Sequence, residues 1–137
     1  MPTEDVPSNI IELNQENFEN EIKSSNKLNF VYCFAIWCKP CEMVWPAFQE
    51  LAIEYKKSVK FCRINVDESP RLVETNGVTA VPIVLIIKDC KIMERIIGVK
   101  KKEEYALQIK KYLDEIISVD PTNGKRCIDF NDSWKKE

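Results

Sequence analysis

Two cysteines, Cys38 and Cys41, stand three positions apart with Pro40 between them. Two thiols at this spacing can close a small disulfide ring and open it again without disturbing the surrounding fold. The nucleophile in such an exchange is a thiolate, and a cysteine with an ordinary pKa of about 8.5 is only a few per cent ionised near neutral pH. The pair therefore indicates thiol–disulfide exchange, provided that the chain favours the thiolate of one of the two cysteines.

The neighbouring residues predict different roles for the two cysteines. Apolar side chains recur at helical spacing after Pro40, and proline suits the first turn of a helix because its missing N–H would have no partner there. Cys38 then lies at the positive end of the helix dipole, beside the positive charge of Lys39, so we expect a lowered pKa and the role of nucleophile. Cys41 lies one turn inside the helix, is more shielded, and is the predicted resolving thiol.

Other uses of the pair are weaker but stay open. A zinc site needs four ligands, and the sequence has neither a histidine nor a second pair of cysteines at this spacing, so we expect no metal. A purely structural disulfide fits poorly with a reducing compartment. Of the four single cysteines, Cys33 and Cys62 fall in predicted strands and should be inert core thiols, whereas Cys90 and Cys127 are expected to be more exposed.

The bulk composition excludes several classes of protein. The 137 residues carry 22 acidic and 20 basic side chains, a net charge of −2, so we expect no binding to nucleic acid or to an anionic membrane. The longest apolar run, residues 81–87, is too short to span a bilayer. The acidic, polar first residues do not resemble a signal peptide, and we expect a cytoplasmic protein; an exported compartment stays open if a signal has been removed.

The predicted elements follow the order βαβαβαββα. Alternating strands and helices predict parallel pairing, and a late hairpin adds antiparallel strands, which gives an α/β fold with a mixed central β-sheet flanked by helices. We predict a leader at 1–9, one domain at 10–118 and an extension of unknown role at 119–137. Asn14 is the predicted cap of the first helix, and a short helix is predicted over 67–76.

Over about residues 10–118 the chain resembles the thioredoxin family. The landmarks that carry the resemblance occur in the family's order and spacing: the segment 34–41, Pro46 in the following helix, residues 65–67, Val81–Pro82 and Gly98. The resemblance implies a thioredoxin-like fold, a cis bond before Pro82, and the activity of a protein-disulfide oxidoreductase that reduces protein disulfides.

The resemblance also implies a surface and partners for this chemistry. The substrate-binding surface would be formed around Cys38 by mostly uncharged residues: Trp37, Val66, Ala80, Val81, Pro82, Gly98 and Val99. For Val66, a plain core role is an equally good interpretation. The implied partners of the monomer are disulfide-containing proteins and a thioredoxin reductase that delivers electrons from NADPH, with no cofactor beyond the Cys38–Cys41 disulfide. The alternatives are an oxidase, isomerase or cytochrome-maturation protein of an exported compartment, and a non-catalytic partner-binding module.

Three residues depart from the family's pattern at positions that tune redox chemistry. Tyr32 stands where the family buries an aspartate, and a phenol with a pKa of about 10 cannot accept the proton of the resolving thiol at neutral pH. Arg63 replaces the usual lysine partner of that aspartate, and Lys39 replaces a glycine between the cysteines. With Trp37 and Pro40, these are the predicted tuning residues. We expect slower deprotonation of Cys41, with Glu42 as an alternative base, and a more oxidising couple than is usual in the family.

Overall fold

The computed structural model describes residues 9–118, and for residues 114–118 it describes the backbone alone. The strands are β1 (Ile10–Leu13), β2 (Leu28–Phe34), β3 (Val59–Asn65), β4 (Ile83–Lys88) and β5 (Lys91–Ile97). The helices are α1 (Phe18–Lys23), α2 (Lys39–Glu54), α3 (Pro70–Thr75) and α4 (Lys102–Ser118). This order confirms the predicted one. Across residues 9–118 no helix combines the length and the apolar character needed to cross a bilayer. The predicted extension at 119–137 lies outside the described residues.

The five strands form one mixed sheet in the order β1-β3-β2-β4-β5. β3 runs parallel to β1 and to β2, whereas β4 runs antiparallel to β2 and to β5. The register pairs Phe34 with Asn65, Cys33 with Ile83, and Ile83 with Ile97. As a result, the ends of β2, β3 and β5 and the start of β4 meet at one end of the sheet, which we call the carboxyl end of β2.

The two faces of the sheet bury two separate hydrophobic clusters. Every residue of β2 is buried, as predicted for a central strand covered on both faces. Its side chains alternate: Phe30, Tyr32 and Phe34 join the cluster under α2 and α4, and Val31 and Cys33 join the cluster under α1 and α3. The first cluster, which lies behind the cysteine pair, is rich in aromatic rings.

Two predicted helix starts were wrong. Asn14 does not cap α1; its Oδ1 accepts the backbone N–H groups of Glu16 at 2.8 Å and of Asn17 at 2.9 Å, which makes a local turn. An asparagine side chain competes in this way with the helix ladder, so α1 begins only at Phe18. The helix predicted over 67–76 is shorter, because Pro70 occupies its first position and the residues before it form a turn.

Cys90 is buried more deeply than predicted. Cys90 is only 7% exposed, although we expected an exposed thiol. The hairpin has a two-residue turn with positive φ at Asp89 (51°) and Cys90 (64°), and this conformation turns the Cys90 side chain into the cluster under α1 and α3. The predicted burial of Cys33 and Cys62 is confirmed, and burial raises the pKa of each thiol to about 12. Cys127 lies outside the described residues.

Phe48 should carry much of the stability of the aromatic cluster. Its ring centroid lies within 6.0 Å of the rings of Phe30, Tyr32, Trp45 and Phe61. Replacing Phe48 by alanine removes these contacts and leaves a cavity, so we expect the free energy of unfolding in urea to fall by about 3–5 kcal/mol. Ile53→Ala on the same helix is the matched control: its side chain is 60% exposed, and we expect a loss of no more than about 0.5 kcal/mol. Equal losses in the two variants would contradict this account of the core.

Candidate active site

Cys38 and Cys41 lie at the N-terminus of α2. Cys38 is the N-cap residue, with extended backbone angles, and Pro40 occupies the first helical turn. The two cysteines form a disulfide with their Cα atoms 5.3 Å apart. The backbone N–H of Cys41 donates to the Cys38 Sγ at 3.2 Å. This N–H is shared, because it also donates to the Cys38 carbonyl at 3.2 Å. Its contact with the sulfur stabilises a thiolate more strongly than a neutral sulfur.

The two sulfurs differ in their access to solvent. Cys38 keeps a small exposed fraction, 4%, whereas Cys41 has none. Lys39 is exposed beside Cys38, and Glu42, the alternative base predicted for Cys41, is also exposed. Of the two cysteines, Cys38 is therefore the one that a molecule in solution can reach.

The carboxyl end of β2 brings together several loops that are distant in sequence. The N–H of Val66 donates to the Phe34 carbonyl at 2.9 Å, which ties the end of β3 to the end of β2. The N–H of Gly98 donates to the Pro82 carbonyl at 2.9 Å, which ties the end of β5 to the start of β4. The bond between Val81 and Pro82 is cis, as predicted. Gly98 has φ of +91°, a conformation that favours glycine.

The residues predicted to bind substrate differ in their exposure. Ala80 and Val99 are exposed, Val81 and Gly98 are half-buried, and Pro82 is buried. Val66 is half-buried and packs against both hydrophobic clusters, which favours its interpretation as a core residue.

Trp37 is held in place although it is 67% exposed. Its indole Nε1–H donates to Asp67 Oδ2 at 2.7 Å. Asp67 belongs to the landmark segment 65–67, but no role for it was predicted from the sequence. A signal was present: Trp37 follows β2 and Asp67 follows β3, and residues that follow neighbouring parallel strands meet at the same end of the sheet. Asp67 therefore fixes a large apolar surface beside the reactive pair.

Tyr32, on the central strand β2, holds the first turn of α2 against the sheet. Its hydroxyl donates to the Cys41 carbonyl at 2.7 Å, and its ring packs against Phe34, Trp45 and Phe48. The residue has no exposed surface, and this burial raises the pKa of its phenol further above neutrality. The hydroxyl is thus a hydrogen-bond donor at this site and cannot serve as a base at neutral pH.

Arg63 is buried next to Tyr32, its register partner on β2. The guanidinium lies 4.8 Å from the ring centroid of Phe34 and 4.9 Å from that of Trp45. Its Nε–H donates to Glu12 Oε1 at 2.8 Å. Glu12 was missed in the sequence because nothing in a single sequence gives the register of β1 on β3; once that register is known, Glu12 is directly opposite Arg63.

Comparison with known proteins agrees with the fold. The family model described as Thioredoxin matches residues 9–111. The chain is 37% identical over 106 residues to Thioredoxin 2 of Chlorobaculum tepidum, which covers 77% of this chain and 94% of the relative. It is 42% identical over 106 residues to Thioredoxin H2 of Arabidopsis thaliana, covering 74% of this chain and 78% of the relative.

A third relative is similar over nearly its whole length. The thioredoxin of Staphylococcus saprophyticus is 32% identical over 104 residues, which is 76% of this chain and 98% of the relative. The fold, the disulfide at the start of α2 and these matches confirm the resemblance seen in the sequence. This chain therefore belongs to the thioredoxin family of protein-disulfide oxidoreductases.

Proposed function

We propose that this protein reduces disulfides in other proteins, with Cys38 as the attacking thiolate and Cys41 as the resolving thiol. The observation that carries the proposal is the contact at the start of α2, where the Cys41 N–H donates to the Cys38 Sγ at 3.2 Å. Cys41 supplies this donor while its own sulfur has no exposed surface. The Cys38 sulfur is therefore stabilised and accessible to solvent. The Cys41 sulfur is enclosed and attacks only after the mixed disulfide has formed.

The reaction takes two exchange steps. The Cys38 thiolate attacks one sulfur of the substrate disulfide, a mixed disulfide forms, and the other substrate sulfur leaves as a thiolate that takes a proton from water. Cys41 then loses its proton and its sulfur attacks the Cys38 Sγ, which releases the second substrate sulfur. Two electrons have passed to the substrate, and the Cys38–Cys41 disulfide of the present structure is the product.

The surface around Cys38 suits an extended protein segment. Trp37, held by Asp67, offers an exposed ring, and the exposed Ala80 and Val99 add uncharged surface. We propose that Val81, which precedes the cis bond, pairs its backbone with the substrate by strand addition, with Pro82 and Gly98 shaping the turn beside it. A surface of backbone groups and small side chains accepts many sequences, as a general reductase requires.

We further propose that the electrons come from NADPH through a thioredoxin reductase, and that the protein works as a monomer in the cytoplasm. Family membership supports the reductase as electron donor. The cytoplasmic location rests on the expectation that a dithiol reductant needs a reducing compartment. Trapping thiols in intact cells with an alkylating reagent tests the location, since Cys38 and Cys41 should be recovered mainly as alkylated thiols.

A second candidate function is oxidation or isomerisation of exported proteins. The observation that favours it is the buried cation Arg63 behind α2, because a positive charge stabilises the thiolate form and makes a couple more oxidising. The equilibrium constant with glutathione separates the two functions. A reduction potential of the Cys38–Cys41 couple well below that of cytosolic glutathione supports the reductase, and a potential well above it supports the oxidase.

Substitution of each cysteine should have a different consequence. Cys38→Ser should abolish insulin reduction driven by NADPH and thioredoxin reductase and should form no mixed disulfide, because the nucleophile is gone. Cys41→Ser should also lose turnover but should accumulate a mixed disulfide at Cys38, visible by mass spectrometry. The control is Cys62→Ala, which removes a neutral thiol from the opposite core cluster and should retain insulin reduction. Mixed disulfides in Cys38→Ser, or none in Cys41→Ser, would contradict the assigned roles.

Tyr32 gives a test of how Cys41 loses its proton. Tyr32→Asp places a carboxylate behind Cys41 with Arg63 as its cross-strand neighbour, and we expect the mixed disulfide to resolve about tenfold faster or more at pH 7. The matched control, Tyr32→Phe, keeps the ring and removes only the hydroxyl. Because this hydroxyl is not a base at neutral pH, its removal should change the resolution rate by no more than about threefold.

The rate is measured by rapid mixing of the reduced protein with a small disulfide, after urea unfolding has shown that each Tyr32 variant is folded. An unchanged rate in Tyr32→Asp would rule out the missing base as the cause of slow resolution. A large loss in Tyr32→Phe would instead assign the hydroxyl a direct part in the step.

Lys39 should make the couple modestly more oxidising. Its charge lies at the start of α2, but the side chain is exposed, so water screens it and we expect less than a tenfold effect, about 30 mV, on the equilibrium constant with glutathione. Lys39→Gly should shift the equilibrium toward the disulfide. Lys39→Gln removes the charge without adding backbone freedom and should shift it in the same direction; an unchanged equilibrium in both variants would show that the charge has no role.

A further inference from the structure

Arg63 is the one charged side chain that is buried in the described part of the chain; the other buried polar residues there are neutral. It is 4% exposed, and its guanidinium lies over the rings of Phe34 and Trp45. A cation over aromatic faces is stabilised by the negative charge of the ring faces, and these contacts also fix its position. The fold thus holds a full positive charge inside the cluster that contains Cys38 and Cys41.

This charge lies close to the first turns of α2. Trp45, which contacts the guanidinium, follows Cys41 by one helical turn. On the other side, Tyr32 is the register partner of Arg63 and donates its hydroxyl to the Cys41 carbonyl. Charges interact strongly across a low-dielectric interior, so we expect the Arg63 charge to influence the ionisation of the cysteine pair.

Glu12 is the carboxylate that neutralises this cation. It lies on the edge strand β1, opposite Arg63, and its Oε1 accepts the Arg63 Nε–H at 2.8 Å. The Glu12 side chain is half-exposed, whereas Arg63 is almost fully enclosed. The negative charge therefore sits at the rim of the protein and the positive charge sits inside, nearer the active-site helix.

We propose that Glu12 is a positioning residue that sets the redox equilibrium of the Cys38–Cys41 couple by acting through Arg63. The inference rests on the proposed function, since it concerns the same dithiol. The reduced protein carries a thiolate that Arg63 stabilises, and the disulfide carries no charge for Arg63 to stabilise. Glu12 offsets part of the guanidinium charge, so it weakens this preference for the reduced form and keeps the couple more reducing.

The equilibrium with glutathione reports this effect directly. The Cys38–Cys41 disulfide and two glutathione molecules give the protein dithiol and one glutathione disulfide, with two electrons and two protons passing to the protein. One of those protons is released again in the fraction of protein whose Cys38 is a thiolate. A stronger field from Arg63 moves this equilibrium toward the dithiol.

The test compares three variants of the full chain. Glu12→Gln keeps a hydrogen-bond acceptor for Arg63 and removes the charge, and we expect the equilibrium to move toward the dithiol by about three- to tenfold, where tenfold corresponds to about 30 mV. Arg63→Met removes the cation and should move it toward the disulfide. Glu16→Gln, a neighbouring exposed glutamate, makes the same change in net charge and should alter the equilibrium by less than about twofold.

The decisive result is that the equilibrium with glutathione shifts in opposite directions in Glu12→Gln and Arg63→Met. A purely structural role would predict a loss of stability in both variants and no opposite shifts. The pKa of Cys38, obtained from the pH dependence of alkylation of the reduced protein by iodoacetamide, should fall in Glu12→Gln and rise in Arg63→Met. Equal shifts in Glu12→Gln and Glu16→Gln would overturn the proposal. If Arg63→Met does not fold, the comparison of the two glutamate variants decides alone.

The same measurements distinguish a failure of the proposed function from a failure of the proposed role of Glu12. A wild-type protein that forms no reversible Cys38–Cys41 disulfide, or does not reduce insulin, would overturn the proposed function. A wild-type protein that does both, with an unmoved equilibrium in Glu12→Gln, would overturn only the role of Glu12.

Discussion

At the start of α2 the N–H of Cys41 points at the Cys38 Sγ from 3.2 Å, and the other features of the site depend on this contact. A helix leaves its first N–H groups unpaired, so a sulfur at the N-cap gains both a hydrogen bond and the positive end of the dipole. Pro40 supports the arrangement because it starts the helix without adding another unpaired donor. Moving Cys38 by one residue in either direction would lose the contact.

The sheet determines what surrounds this sulfur. Because β4 runs antiparallel to β2, the cis bond before Pro82 lies at the same end of the sheet as the end of β2. Because β3 runs parallel to β2, Asp67 lies where it can hold Trp37. The strand order thus assembles, around one helix start, segments that are up to sixty residues apart in sequence. Binding residues of proteins commonly lie on loops that a rigid scaffold positions in this way.

Several features that depend on local chemistry were predicted correctly from the sequence, whereas features that depend on register, on turn conformation or on a choice between two local hydrogen-bond patterns were not. The cysteine spacing, Pro40 and the unbroken apolar run of β2 each act within a few residues, and each predicted its element correctly. Asn14 was misread because its side chain can cap a helix or close a turn, and a sequence does not distinguish the two. Cys90 was misread because the direction of a turn side chain depends on φ at that residue. Glu12 could be connected with Arg63 only through the pairing of β1 with β3.

Tyr32 stands where the resemblance to the family implies a buried acid, and this difference affects the electrostatics next to the cysteine pair. A phenol with a raised pKa adds no charge, so Arg63 is left without a buried counterion and is paired instead with Glu12 at the sheet edge. Burying a guanidinium is costly, and here two aromatic faces and one carboxylate offset the cost. The same arrangement that makes the buried cation tolerable also places a positive charge, partly offset by Glu12, close to α2. Packing in this core and the chemistry of the cysteine pair are therefore linked through one residue, and a substitution at Arg63 cannot alter one without the other.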